Sequence, residues 1–252
     1  MAVKFRRRFL GALFAGVLVI TACSGGPFLV SRADGEPAPQ LLRPVTNQPA
    51  PLASCGGHPF APEALDAPPT DQVGPEFDAL RAVFAAHAGE FEGTPEQEPW
   101  KLVDKQDDQL LFVADSGSGL LYVFLRRQGD IWKFANMGDC QLHAALGDGA
   151  GAARWWLDPR RPFPTADSVV LEILVLEQAC ASGNYATGRI LPPAVVYEAE
   201  AITVTIGVRG VGGTCQGNPD TPAVLTLNEP LGDRELLDGF FIPPAPALPP
   251  AP

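Results

Sequence analysis

The chain of 252 residues is poor in the side chains that do most nucleophilic and metal chemistry: three histidines, five cysteines and two methionines. Whole classes of signature are missing. There is no P-loop, no Gly-x-Gly-x-x-Gly following a strand, no Gly-x-Ser-x-Gly, no His-Glu-x-x-His and no EF-hand loop. The common phosphate cradle, dinucleotide turn, hydrolase elbow, zinc-protease helix and calcium loop are therefore excluded. No Cys-x-x-Cys or His-x-x-x-His pair supports a zinc site. Long hydrophobic runs are missing too. The longest, Phe9 to Ile20, is about a dozen residues, and a membrane span needs roughly 20. Basic charge is scarce beyond the first residues. The net charge of −11 includes +4 from Lys4, Arg6, Arg7 and Arg8, so the remainder carries −15. The acid is scattered rather than blocked, which reads as a solvated surface. Such a chain is a poor partner for nucleic acid and has no charge attraction to anionic lipid.

What is present begins at the amino terminus. Four positive charges, a short apolar run and small residues before a break make a secretory signal peptide. The run ends Ile20-Thr21-Ala22-Cys23-Ser24-Gly25-Gly26, which resembles the lipobox of bacterial lipoproteins. The resemblance implies cleavage before Cys23, a diacylglyceryl group on its sulfur, and an extracytoplasmic protein anchored to the cell membrane. Two or more acyl chains hold stably where one is marginal. An ordinary signal peptide with an incidental cysteine is the other reading of these residues. Arg6-Arg7-Arg8-Phe9-Leu10 also resembles the twin-arginine export motif, although Phe5 stands where Ser or Thr is usual. Ser24 after the cysteine, rather than Asp, mildly favours an outer membrane where a cell has one.

Four cysteines remain: Cys55, Cys140, Cys180 and Cys215. In an oxidising compartment they suggest two disulfides out of three possible pairings. Cys55–Cys140 and Cys180–Cys215 are favoured, because each then stays within one half of the proposed layout. That layout has a signal peptide at 1–22 and a lipidated cysteine with a Pro-rich tether at 23–54. Two folded halves follow, at 55–150 and 151–242, with a Pro-rich tail at 243–252. As a tether, residues 24–54 could reach on the order of 100 Å extended and span about 30 Å or somewhat more on average.

The first half reads as a helix plus antiparallel sheet. Pro75 suits a first helical turn, Phe77, Leu80, Phe84 and His87 share one face, and Gly89 suits a C-terminal cap. The period then changes to two, giving strands at 100–103, 109–114, 120–127 and 131–135, with a hairpin turn at Gln128-Gly129-Asp130. The Gly-rich stretch 146–153 reads as a joint. The second half reads as a small β unit clamped by Cys180–Cys215, with strands at 169–177, 194–197, 202–208 and 224–227. The fold class is α+β, mainly antiparallel β.

Few residues suggest a site. His143 could pair with Asp139 or Asp148, but a catalytic set needs a nucleophile, base and orienting acid together in space. Trp155 and Trp156 are binding candidates beside Arg160 and Arg161, for a sugar or glycan. In a strand, adjacent side chains point to opposite faces, so at most one could be a platform. Packing anchors at the joint are the plainer reading. Asp233, Arg234 and Asp238 form a structural motif, in which Arg234 could fork onto a carboxylate and hold down the terminus.

The run Cys215-x-Gly-Asn-Pro-x-Thr-Pro222, then Glu229-Pro-Leu-Gly-Asp-Arg-x-Leu-x-Asp-Gly239, resembles the end of uncharacterised exported proteins and lipoproteins of actinobacteria. Trp155-Trp-Leu-Asp-Pro159, Cys180-Ala-Ser-Gly183 and Arg189-Ile-Leu-Pro-Pro-Ala-Val-Val-Tyr197 are similar to the same set. The resemblance covers roughly residues 140–240. It supports the disulfides and a folded second half, and transfers no catalytic residue and no cofactor. The expectation is a binding or accessory module of the cell envelope, with an envelope protein or glycan as partner. A cell-envelope hydrolase with dispersed catalytic residues is the alternative, and a passive envelope component the third reading.

Overall fold

Period-two stretches become strands, and their buried faces decide how they pair. The computed structural model describes residues 35–45, 51–66, 73–91 and 98–249. The signal segment and the proposed lipidation site Cys23 lie outside the described residues. The chain runs β1 (Gln40–Leu42), β2 (Leu52–Cys55), β3 (His58–Phe60), a 3-10 turn (Pro62–Leu65) and helix α1 (Pro75–Ala86). Strands β4 (Lys101–Lys105), β5 (Gln109–Asp115), β6 (Leu120–Gln128) and β7 (Ile131–Cys140) follow. Then come β8 (His143–Ala145), β9 (Ala150–Leu157), β10 (Val170–Glu177) and β11 (Ala194–Tyr197). The last are β12 (Ala201–Arg209), β13 (Thr221–Thr226), β14 (Glu235–Asp238) and β15 (Ala245–Pro246). The fold is α+β and mainly antiparallel β, as the patterning predicts.

Helix α1 forms where the sequence places it. Pro75 opens it with a preset φ, Glu76 and Asp78 suit the positive end of its dipole, and Phe77, Leu80, Val83 and Phe84 are its buried stripe. The stripe covers one face of a four-stranded antiparallel sheet, β4-β5-β6-β7, against Leu110, Phe112, Val123 and Leu125. Each of these large side chains stabilises the layer by about 2 kcal/mol through burial. The opposite face, with Leu111, Val113, Tyr122 and Phe124, packs on Ala53, Cys55 and Phe60 from β2 and β3. Both faces are covered, so β5 is apolar almost throughout instead of alternating. The β6–β7 hairpin turns at Gly129-Asp130, with Gly129 at φ +63°.

The second sheet closes on itself. Its ladder runs β1-β13-β10-β9-β12, and β12 also pairs with β11. An isolated parallel bridge, Val45 to Ala194, joins the end of the β1 segment to β11 and completes the ring. The result, among the described residues, is a six-stranded ring in which the contacts of residues 40–45 are parallel; β14, outside the ring, also pairs in parallel with β12. Alternate residues fill it: Leu42, Trp155, Leu171, Ile173, Val204, Ile206, Ala223 and Leu225 belong to one buried cluster. A buried fork holds one end, where Arg189 donates to Glu177 Oε1 at 2.7 Å and Oε2 at 2.5 Å. The described residues belong to one compact unit.

Several boundaries differ from the sequence reading. The body begins well before Cys55: β1 lies inside the stretch read as a tether, and β2 starts within it at Leu52. The Gly-rich joint is the start of β9, and β2, β3 and β8 belong to the large sheet. The two halves are therefore interleaved. In the tail, Ala245 and Pro246 pair with β14, and Ala247 packs on the barrel core. The disulfides are the favoured pairs, with Cα–Cα separations of 5.2 Å for Cys55–Cys140 and 4.5 Å for Cys180–Cys215. Because Cys55 is in β2 and Cys140 ends β7, the first ties the two sheets together.

Candidate functional site

The sequence-selected residues do not converge. Trp155 and Trp156 point to opposite faces of β9, as alternation requires, yet both are buried, at 0% and 2% exposure. Trp155 fills the barrel and donates its ring N–H to the Val204 carbonyl at 2.8 Å. Neither is a stacking platform, because the outer face of β9 is covered as well as the inner one. Arg234 does not fork onto a carboxylate: it gives a single N–H to Glu229, and none to Asp233 or Asp238. It also donates to the carbonyls of Pro230 and Leu231 and lies over the Tyr197 ring. This pins the 229–234 turn to β11. Asp238 is buried elsewhere: its Oδ1 accepts from the Phe240 amide at 2.9 Å and its Oδ2 from the Trp155 amide at 3.3 Å. Burial pushes its pKa up to about 6.

The three histidines stand apart. His58 stacks on Phe124 at 3.6 Å, and burial, then the Arg126 charge, lowers its pKa. His87 caps α1 and meets Glu90 at 2.8 Å. His143 stacks on Phe240, and its Nδ1 lies 3.0 Å from the Gln141 carbonyl, which fixes that nitrogen as the donor. Among the described residues it forms no ion pair with Asp139 or Asp148. Nor do three His, Cys, Asp or Glu side chains converge on a metal-sized site among them.

A groove that the sequence reading missed lies where β2, β8, β9, β11 and β12 meet. One end, about 450 Å³, is walled by Pro51, Leu52, Leu146, Leu191 and Pro192. The other, about 710 Å³, extends past Ser54, Asp139, Gln141, His143 and Gln178. The two ends share Leu52, Ala145, Leu146, Gly147 and Ala150. Small side chains make the trough: Ala144, Ala145, Ala150, Gly151 and Gly207 leave the backbone low between taller walls. At Gly207 a Cβ would come within 2.7 Å of Leu146 Cδ1, so glycine is what lets that wall residue lie down. The trough is lined by aliphatic side chains at one end, and Asp139, Gln141, His143 and Gln178 add polar groups at the other. That arrangement suits an elongated ligand or peptide with an apolar part. The missed signal was the Ala/Gly run 144–153, which reads as a linker because it lacks side chains that mark a strand.

Among the described residues no helix is long and apolar enough to cross a membrane. No protein-family model matches the chain, and neither a curated protein nor a solved structure matches it.

Proposed function

We propose that the chain is an extracytoplasmic lipoprotein, anchored through Cys23, whose barrel body is a binding module. The anchor is supported by the order of charge, apolar run and Ile20-Thr21-Ala22-Cys23. The binding reading is carried by the groove: it is open, two-ended in polarity, and floored by residues too small to do chemistry. Its ligand is a segment of an envelope protein or a glycan with an apolar portion. The half-exposed Leu52 sits on the wall shared by both ends. A photo-crosslinker placed there in intact cells should capture one partner reproducibly, and an added bulk at Gly151 should abolish that capture. Capture of nothing, or of the same mixture as an unrelated lipoprotein, would overturn the binding reading.

A further inference from the structure

A second surface lies away from the groove. On the outer face of the barrel, Leu41 of β1 is in register with Val224 of β13, and Val224 with Glu172 of β10. Val170 lies two residues before Glu172 on the same face. The loop Arg160-Arg161-Pro162-Phe163-Pro164 brings Phe163 beside Val170 and Val224 around a shallow hollow of about 310 Å³. Leu41 is 78% exposed, Phe163 74% and Val170 50%. Single exposed apolar residues are ordinary, but a cluster of them marks a contact surface. Its rim cations are already neutralised. Arg160 donates to Asp158 at 2.8 Å and to Glu36 at 2.7 Å, and Arg161 reaches Glu172 at 3.5 Å.

The Glu36–Arg160 pair fixes where the chain enters the body. Glu36 is held by the residue three before Phe163, and Leu41 follows it by five. Only residues 24–35 separate this entry from Cys23. The covalent reach of such a segment is at most about 40 Å. We propose that Leu41, Phe163, Val170 and Val224 form a lipid-facing surface that rests on the membrane, with Phe163 in the layer between headgroups and acyl chains. This rests on the Cys23 anchor. A short tether keeps the surface at high local concentration near lipid, so a small apolar contact suffices. The named rim groups, Arg160 and Arg161 against Glu36, Asp158 and Glu172, sum to −1, so the apolar contact and the anchor carry the association and charge does not.

The test uses the full chain in its own membranes. Phe163 is replaced by p-benzoylphenylalanine, as is Ile131 in a control, which is 58% exposed on the other sheet. After irradiation, the proposal expects phospholipid adducts at 163 and none at 131. Equal adducts at both positions, protein adducts at 163, or no lipid adduct there would overturn it. The mass of the Cys23 peptide is read from the same sample. A diacylated Cys23 without lipid adducts at 163 rejects the surface and keeps the anchor. An unmodified Cys23 with lipid adducts at 163 rejects the anchor and keeps the surface.

Discussion

Val45 is bridged to Ala194, and its amide donates to the Pro193 carbonyl at 3.1 Å. That one contact turns an open sheet into a barrel, and it comes from a segment whose composition reads as a linker. Gln40 reinforces it, donating to the Ile190 carbonyl at 2.7 Å and accepting from the Gly188 amide at 2.9 Å. If residues 40–45 are a barrel strand, Leu42, 2% exposed, is core. Leu42→Ala should cost about 2–5 kcal/mol in urea unfolding. Leu41→Ala, one residue away and facing out, should stay within about 0.5 kcal/mol. Equal small effects would mean that the segment is not part of the fold.

The buried Asp238 makes stability depend on pH. Its pKa is about 6 in the folded chain against 3.8 for the free side chain. A carboxyl that holds its proton more tightly when folded stabilises fully below about pH 4, and that stabilisation is lost as pH rises through 6. Two pH units correspond to about 3 kcal/mol. Asp238→Asn removes this titration. The stability difference between wild type and variant, measured from pH 4 to 7 by urea midpoint, should therefore move against the wild type. Parallel curves would show that the carboxyl is not buried as described.

In the Glu177–Arg189 fork the carboxylate is nearly closed to water, at 3% exposure, and the guanidinium side chain is largely covered, at 15%. Arg189→Met strands a buried carboxylate and should cost about 3–5 kcal/mol. Adding Glu177→Gln should recover much of that loss. A double mutant as unstable as the single would place the cost in packing rather than in the unpaired charge.

Non-reducing peptide maps should show Cys55 with Cys140 and Cys180 with Cys215. Breaking Cys180–Cys215, which closes 35 residues, should lower stability by about 4 kcal/mol at most. Cys55 linked to Cys180 would contradict the sheet arrangement.

How much was legible follows from side-chain size. Helix α1 and strands β5, β6, β10 and β12 could be read because large apolar residues at period 3.6 or 2 are what their packing needs. The disulfide pairs followed from the same layout, although Cys55–Cys140 proved to join two sheets. Strands β1 and β2 were hidden among prolines, and β9 opens with Ala-Gly-Ala-Ala, whose weak strand preference is overridden by pairing with β12 at Ala152 and Ala153. The groove was invisible for the same reason, since its floor is made by the absence of side chains. Trp155 and Trp156 misled in the opposite direction: their size suggested a platform, but Trp155 fills the barrel and Trp156 is buried on the other face of β9.

The central claim is the anchor, because the tether length, the lipid-facing surface and the presentation of the groove all depend on it. The most direct measurement is the mass of the amino-terminal peptide of the protein recovered from membranes. The account expects a chain beginning at Cys23 with a diacylglyceryl group on its sulfur, lost in Cys23→Ala together with membrane retention. A chain beginning elsewhere, or a free thiol at Cys23, would contradict it.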